Sequence, residues 1–316
     1  MVRLTALISF TKRQAVLAAC LLCFCILPVQ AQVMSKRVVS LNLCTDILAL
    51  SLADPSQIVS VSHIAADPVS SPVAKQGGNY YLNRSGLEEI LALKPDLVLA
   101  SVYTAPDKLA VLEREGVRIE RFGYAQSFAD IRQQITQMGQ VLGQQDNAQA
   151  QIAEIDQMLG SLQKNTQPVS ALLYEPNGYT SGVGTLSDEI MKLLDITNLG
   201  ASDSRLAAGR VSLEDLIRLK PDMIIEPEFY EKPALAYQNY RHPVMKALVS
   251  EQGRKTQHVA VPARSWSCGS VYTLEAVRIL QRARQANGEQ YSMSPKSGYR
   301  FWDKDMRKTK KIEHFE

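Results

Sequence analysis

Leu87-Glu88-Glu89-Ile90-Leu91-Ala92-Leu93-Lys94-Pro95-Asp96-Leu97-Val98-Leu99 returns without a gap as Leu213-Glu214-Asp215-Leu216-Ile217-Arg218-Leu219-Lys220-Pro221-Asp222-Met223-Ile224-Ile225, at a constant offset of 126 residues. Each copy carries the same physical instruction. A short amphipathic helix must end before the proline, and the apolar run that follows reads as a strand buried on both faces. One copy is no more than a convenient connection between a helix and a strand. Two copies in two halves of the chain define a protein of two related lobes.

Outward from the repeat, strands and helices alternate, which implies α/β lobes with parallel, doubly wound sheets. In the first half Arg37-Val38-Val39-Ser40-Leu41, Ile58-Val59-Ser60-Val61, Leu97 to Leu99 and Val117-Arg118-Ile119 read as strands. A helix capped by Thr45 runs to Leu52, and another spans Pro106 to Glu115. From Val169 the alternation restarts with Ala171-Leu172-Leu173-Tyr174, a helix near Thr185–Leu194, the second repeat and His258-Val259-Ala260-Val261. Between the halves Ile152, Ile155, Leu159 and Leu162 recur at helical spacing, with polar residues opposite. A flexible linker is rich in Gly, Ser or Pro, so this connector reads as one long, rigid helix over residues 144–165.

The ends of the chain are different in kind. Residues 1–31 hold Arg3, Lys12 and Arg13, no acid, an apolar run from Ala15 to Leu27, and Val29-Gln30-Ala31. That order is a secretory signal peptide cleaved after Ala31. The run is too short to span a bilayer, and lipoprotein processing at Leu17-Ala18-Ala19-Cys20 would cut in its middle rather than at its end. Removing the leader erases the formal charge of +3, leaving 32 basic against 32 acidic residues, so a basic nucleic-acid surface is excluded. Of five cysteines only Cys44 and Cys268 remain, in a compartment that permits a bridge. They are a candidate disulfide, with free thiols near a ligand as the alternative. The domain plan is therefore a leader (1–31), a first lobe (32–143), the connecting helix (144–165), a second lobe (166–290) and a basic tail (291–316).

The first lobe resembles the periplasmic substrate-binding proteins of ABC importers for iron-siderophores, haem and cobalamin. The likeness rests on Arg37-Val38-Val39-Ser40-Leu41, Thr45-Asp46, Ile58-Val59-Ser60-Val61 and the motif from Leu87 to Val98. Tyr179-Thr180-Ser181-Gly182 before a helix is similar to the cobalamin-binding members. The resemblance implies two lobes on one long helix, a ligand cleft between them, and a monomer that delivers its ligand to a permease in the periplasm. It also implies that one glutamate on each lobe docks onto permease arginines. Those glutamates are Glu88 and Glu214, the same position of the repeat; by themselves both are also acids favoured at a helix start.

Ligands of open parallel sheets meet the loops at the carboxyl ends of the strands. Here those loops carry His63, Tyr80, Tyr81, Tyr103, Tyr124, Tyr179, Tyr230 and Trp266, a composition suited to a large flat ligand such as a corrin, porphyrin or catecholate. Arg264, with Arg84, Arg205 and Arg210, would supply forks for an anionic ligand. Four histidines without paired spacing disfavour capture of a bare metal, and no resident cofactor is expected. The alternative is an exported α/β enzyme acting on a small chelate or ester. It lacks a G-x-S-x-G elbow, an H-E-x-x-H motif or a paired Cys/His site.

Overall fold

The structure is a computed structural model and describes residues 37–164, 167–207, 209–227, 235–243, 245 and 256–292. The leader, its cleavage site, Tyr230 and nearly all of the basic tail lie outside the described residues.

The first half contains strands β1 (Val38–Ser40), β2 (Ile58–Ser62), β3 (Tyr81–Asn83), β4 (Leu97–Ser101) and β5 (Arg118–Phe122). They form a parallel sheet in the order β3-β2-β1-β4-β5. The second half contains β6 (Val169–Leu173), β7 (Ile196–Asn198), β8 (Met223–Pro227) and β9 (Gln257–Val261), parallel in the order β7-β6-β8-β9. The repeat strands are β4 and β8, each paired with the first strand of its half. Without the edge strand β3, the two sheets have the same winding.

The described helices are α1 (Leu43–Leu52), α2 (Ala74–Gly77), α3 (Leu87–Ala92), α4 (Pro106–Arg114), α5 (Phe128–Leu142), α6 (Gln145–Gly160), α7 (Leu186–Leu193), α8 (Leu199–Ser202), α9 (Leu213–Leu219) and α10 (Thr273–Ser292). None is long and apolar enough to cross a membrane. Helix α1 starts earlier than its sequence implies. Asn42, not Thr45, is the cap, its Oδ1 accepting from the backbone N–H groups of Cys44 and Thr45 at 3.1 and 3.2 Å. Thr45 instead turns its hydroxyl to Ser40, 2.7 Å away.

The two copies of the repeat close in the same way. Lys94 and Lys220 both adopt left-handed backbone, with φ of 48° and 46°, which ends the helix and turns the chain into the strand. The aspartate after the proline then pins the neighbouring strand. Asp96 accepts from the backbone N–H of Arg37, and Asp222 from both the N–H and the hydroxyl of Ser170 at 2.8 and 2.7 Å.

The connecting stretch 144–165 holds one helix, α6, and a separate helix, α5, precedes it. Gly143, at φ 70°, ends α5 in left-handed conformation, and α6 begins two residues later. Helix α6 stops at Gly160, so Leu162 packs on the core from beyond its end, and Ile155 is fully buried. The C-terminal α10, which the alternation in the sequence does not announce, seats Leu274, Val277 and Leu280 in the same core. That core is continuous across both sheets: Val38, Leu97 and Phe122 from the first belong to one cluster with Ala171, Met223 and Val261 from the second.

Candidate ligand-binding cleft

The carboxyl ends of three strands from both sheets carry side chains into one electrostatic neighbourhood. Tyr103 follows β4 and is 80% exposed, Tyr124 follows β5, and Glu175 follows β6 by two residues. Burial raises the Tyr124 hydroxyl above the usual tyrosine range, and the charges of Glu175 and Tyr103 push it further up. The Glu175 charge thus reaches Tyr124 from the other half of the chain. Burial also raises the Glu175 carboxyl above the usual carboxylate range.

Backbone geometry fixes Glu175. Its N–H donates to the Tyr179 carbonyl at 2.8 Å, and its carbonyl accepts from Gly178 at 3.0 Å, across a turn in which Asn177 and Gly178 both have positive φ. A side chain at Gly178 would place its Cβ 2.5 Å from the Val211 carbonyl oxygen, so only glycine lets this turn lie against Val211. Tyr179, leaving the turn, is 46% exposed. The Arg210 guanidinium lies over its ring, 4.1 Å from the centroid, and donates to its hydroxyl at 2.9 Å and to the Asn177 carbonyl at 3.1 Å.

The other residues expected in the cleft differ in burial and in partners. Trp266 closes the turn after β9, is 8% exposed and packs in the core. Tyr80 is partly buried and packs on the core. Tyr81 lies in edge strand β3 and donates its hydroxyl to Glu89 at 3.0 Å. His63 is exposed in a 3-10 turn after β2, and Arg264 is partly buried in the turn after β9. Arg205 is held by Asp203 through two hydrogen bonds, so it and Arg210 are committed to the protein's own groups. Glu175 itself went unnoticed in the sequence. Its signal was there: it is the first charged residue after the apolar run Ala171–Tyr174, directly before the turn Pro176-Asn177-Gly178.

The two repeat glutamates are exposed at equivalent helix starts. In each case the following acid takes the capping role: Glu89 accepts from the N–H groups of Arg84 and Gly86, and Asp215 accepts from the N–H and hydroxyl of Ser212. Glu88 and Glu214 make no ion pair or hydrogen bond among the described residues and point their charge at solvent. Cys44 and Cys268 are bonded to each other, their Cα atoms 5.1 Å apart, under an apolar cover that includes Ile47, Val73 and Tyr272. Among the described residues no group of three His, Cys, Asp or Glu could hold a metal ion.

Two related parallel sheets with tyrosines beyond the carboxyl ends of their strands define a protein of the two-sheet α/β class. The family model described as periplasmic binding protein matches residues 38–226, more than half of the chain, and the protein belongs to that family, whose members bind solutes rather than turn them over. The vitamin B12-binding protein of Pectobacterium atrosepticum is 27% identical over 62% of this chain and 72% of its own length. An uncharacterised ABC transporter substrate-binding lipoprotein of Bacillus subtilis, YvrC, is 24% identical over 60% of this chain; the match spans 63% of that protein's length. In fold the chain is similar to the periplasmic haem-binding protein HutB of Vibrio cholerae, with a TM-score of 0.64 and 21% identity over 79% of this chain and 98% of that one. The periplasmic vitamin B12-binding protein BtuF of the same organism gives 0.58 and 19%, over 80% and 98%.

Proposed function

We propose that the protein captures a metal chelate, a corrinoid or a ferric siderophore, in the periplasm and delivers it to the permease of an ABC importer. The supporting observation is the position of Tyr103, Tyr124 and Glu175 just beyond the carboxyl ends of strands from both sheets, with the Glu175 charge reaching Tyr124. Rings with polar tips offer a flat chelate stacking surface and hydrogen bonds together. The B12-binding relative is consistent with a ligand of this kind. The chelate is cargo, and chemistry on it is not part of the role.

Delivery is assigned to Glu88 and Glu214. Both are exposed, both occupy the same step of the repeat, and their neighbours Glu89 and Asp215 already satisfy the helix starts. Two acids on two lobes form a symmetric pair of contacts for two basic sites on a permease. The monomeric protein would reach the periplasm through its leader, cut after Ala31.

One experiment tests both parts. The exported protein is titrated with cyanocobalamin, hemin and ferric siderophores, followed by intrinsic fluorescence. At least one chelate binds one-to-one below about 10 μM and is released unchanged. The double variant Glu88→Arg, Glu214→Arg keeps that affinity and loses more than about tenfold of uptake, a cost set by like-charge contact at the interface. No binding overturns the chelate assignment, and unimpaired uptake overturns the docking assignment.

A further inference from the structure

Glu175 brings an unpaired negative charge to the strand ends, which disfavours an anionic ligand beside it. Glu175 is half-buried beside Tyr124, burial alone accounts for its raised pKa, and no cation or hydrogen-bond donor meets its carboxyl among the described residues. A carboxylate partly removed from water without a partner is costly to the empty protein. A ligand that brings a donor to it recovers that cost on binding. A ligand that brings a second negative charge adds repulsion instead, in surroundings where Coulomb forces are only weakly screened.

None of the arginines in the neighbouring loops meets the Glu175 carboxyl. Arg205 is locked to Asp203, Arg210 lies on Tyr179 and the Asn177 carbonyl, and the Arg84 charge acts on Glu89. The residues at the three strand ends are an acid and two phenols; the ionised acid only accepts hydrogen bonds, whereas each phenol can accept or donate.

We infer that Glu175 is the charge-selecting residue of the cleft, admitting chelates whose rim is uncharged or cationic and presents N–H donors, and rejecting those with carboxylate or catecholate rims. The inference rests on the chelate-binding role proposed above and narrows it: an amide-rimmed macrocycle fits, and a polyanionic ferric complex does not. Glu175 would act by direct contact with the ligand rim, held there by the turn through Gly178.

The test compares wild type, Glu175→Gln and Glu175→Arg against three probes: cyanocobalamin, with a rim of neutral amides; hemin, with two propionates; and ferric enterobactin, a trianion. Wild type binds cyanocobalamin at least about tenfold tighter than either anion, the scale of one charge-assisted contact. The isosteric Glu175→Gln keeps cyanocobalamin affinity within a few-fold and gains several-fold for both anions, and Glu175→Arg inverts the order. Circular dichroism and thermal unfolding establish that each variant is folded, and the Gln variant carries the test if Arg disturbs the loop. Wild type binding an anion best, or a preference that ignores both substitutions, overturns the inference alone. If wild type binds none of the three, the chelate role falls and the inference falls with it.

Discussion

Asp46 shows how a short motif residue can carry a measurable cost. It follows Thr45 in the first turn of α1 and is fully buried, with the N–H and hydroxyl of Ser62 donating to its two oxygens. Burial dominates over these bonds and raises its pKa from 3.8 to about 6. Because the folded value lies above the unfolded one, the protonated acid is the stabilising form. Its contribution is full below pH 3.8 and is lost as pH rises through about 6. A shift of this size corresponds to about 3 kcal/mol. Asp46→Asn, which cannot ionise and can still accept from Ser62, should unfold in urea with a stability that lacks this loss. The wild-type-minus-variant difference should therefore fall by about 2–2.5 kcal/mol between pH 4 and pH 7, and a difference that is flat with pH would remove the ionisation from the account. At this scale the sequence was least legible. Tyr80, Tyr103 and Tyr124 are alike as letters, yet one packs on the core and one is 80% exposed. Trp266 sits after a strand like the others, but its loop is drawn onto the first half, where Gly269 lies against Ala125 and Ile131 too closely for any side chain.

Elements were read best where period and punctuation agreed. The repeat motif announces its helix by apolar spacing and its strand by Lys-Pro-Asp, and both copies deliver the same turn, with Lys94 and Lys220 in left-handed backbone. A side chain with a Cβ is strained there, by roughly 1 kcal/mol or more. Lys94→Gly and Lys220→Gly should each raise stability by about 0.5–1 kcal/mol once the greater freedom of glycine in the unfolded chain is set against the relief. Alanine at the same sites should give no such gain, and equal effects of Gly and Ala in urea unfolding would discard the strain argument. Strands β3 and β7 were not foreseen, because three residues are too few to show a period of two. Helix α10 was hidden by its polar residues: Arg278, Gln281 and Arg282 interrupt the apolar positions, and buried Arg284 works as a clamp, donating to the carbonyls of Leu194, Asp195 and Gln167. The break at Gly143 was marked by glycine itself, but whether helices fold back or run on depends on packing such as Gly139 against Ala148.

At the scale of the molecule, two sheets with the same winding could have remained separate bodies joined by a connector. Three features tie them instead: a core shared between the sheets, the close seating of Gly269 on the first half, and the bridge between Cys44 at the start of α1 and Cys268 before α10. The bridge acts across a sequence separation of 224 residues, nearly the whole described chain. By loop entropy, closing such a loop in the unfolded state contributes roughly 5 kcal/mol, less any native strain. The apolar cover over the sulfurs means that Cys268→Ala should leave a small, tolerated gap rather than a new polar surface, so the loss is mainly that of the constraint. Oxidised wild type should therefore unfold at a clearly higher urea concentration than either the reduced protein or the Cys44→Ala, Cys268→Ala variant, by about 3–5 kcal/mol in extrapolated stability. The reduced protein and the variant should agree with each other. Coincident midpoints for all three would mean that the shared core alone already holds the halves together and that the bridge adds no stability.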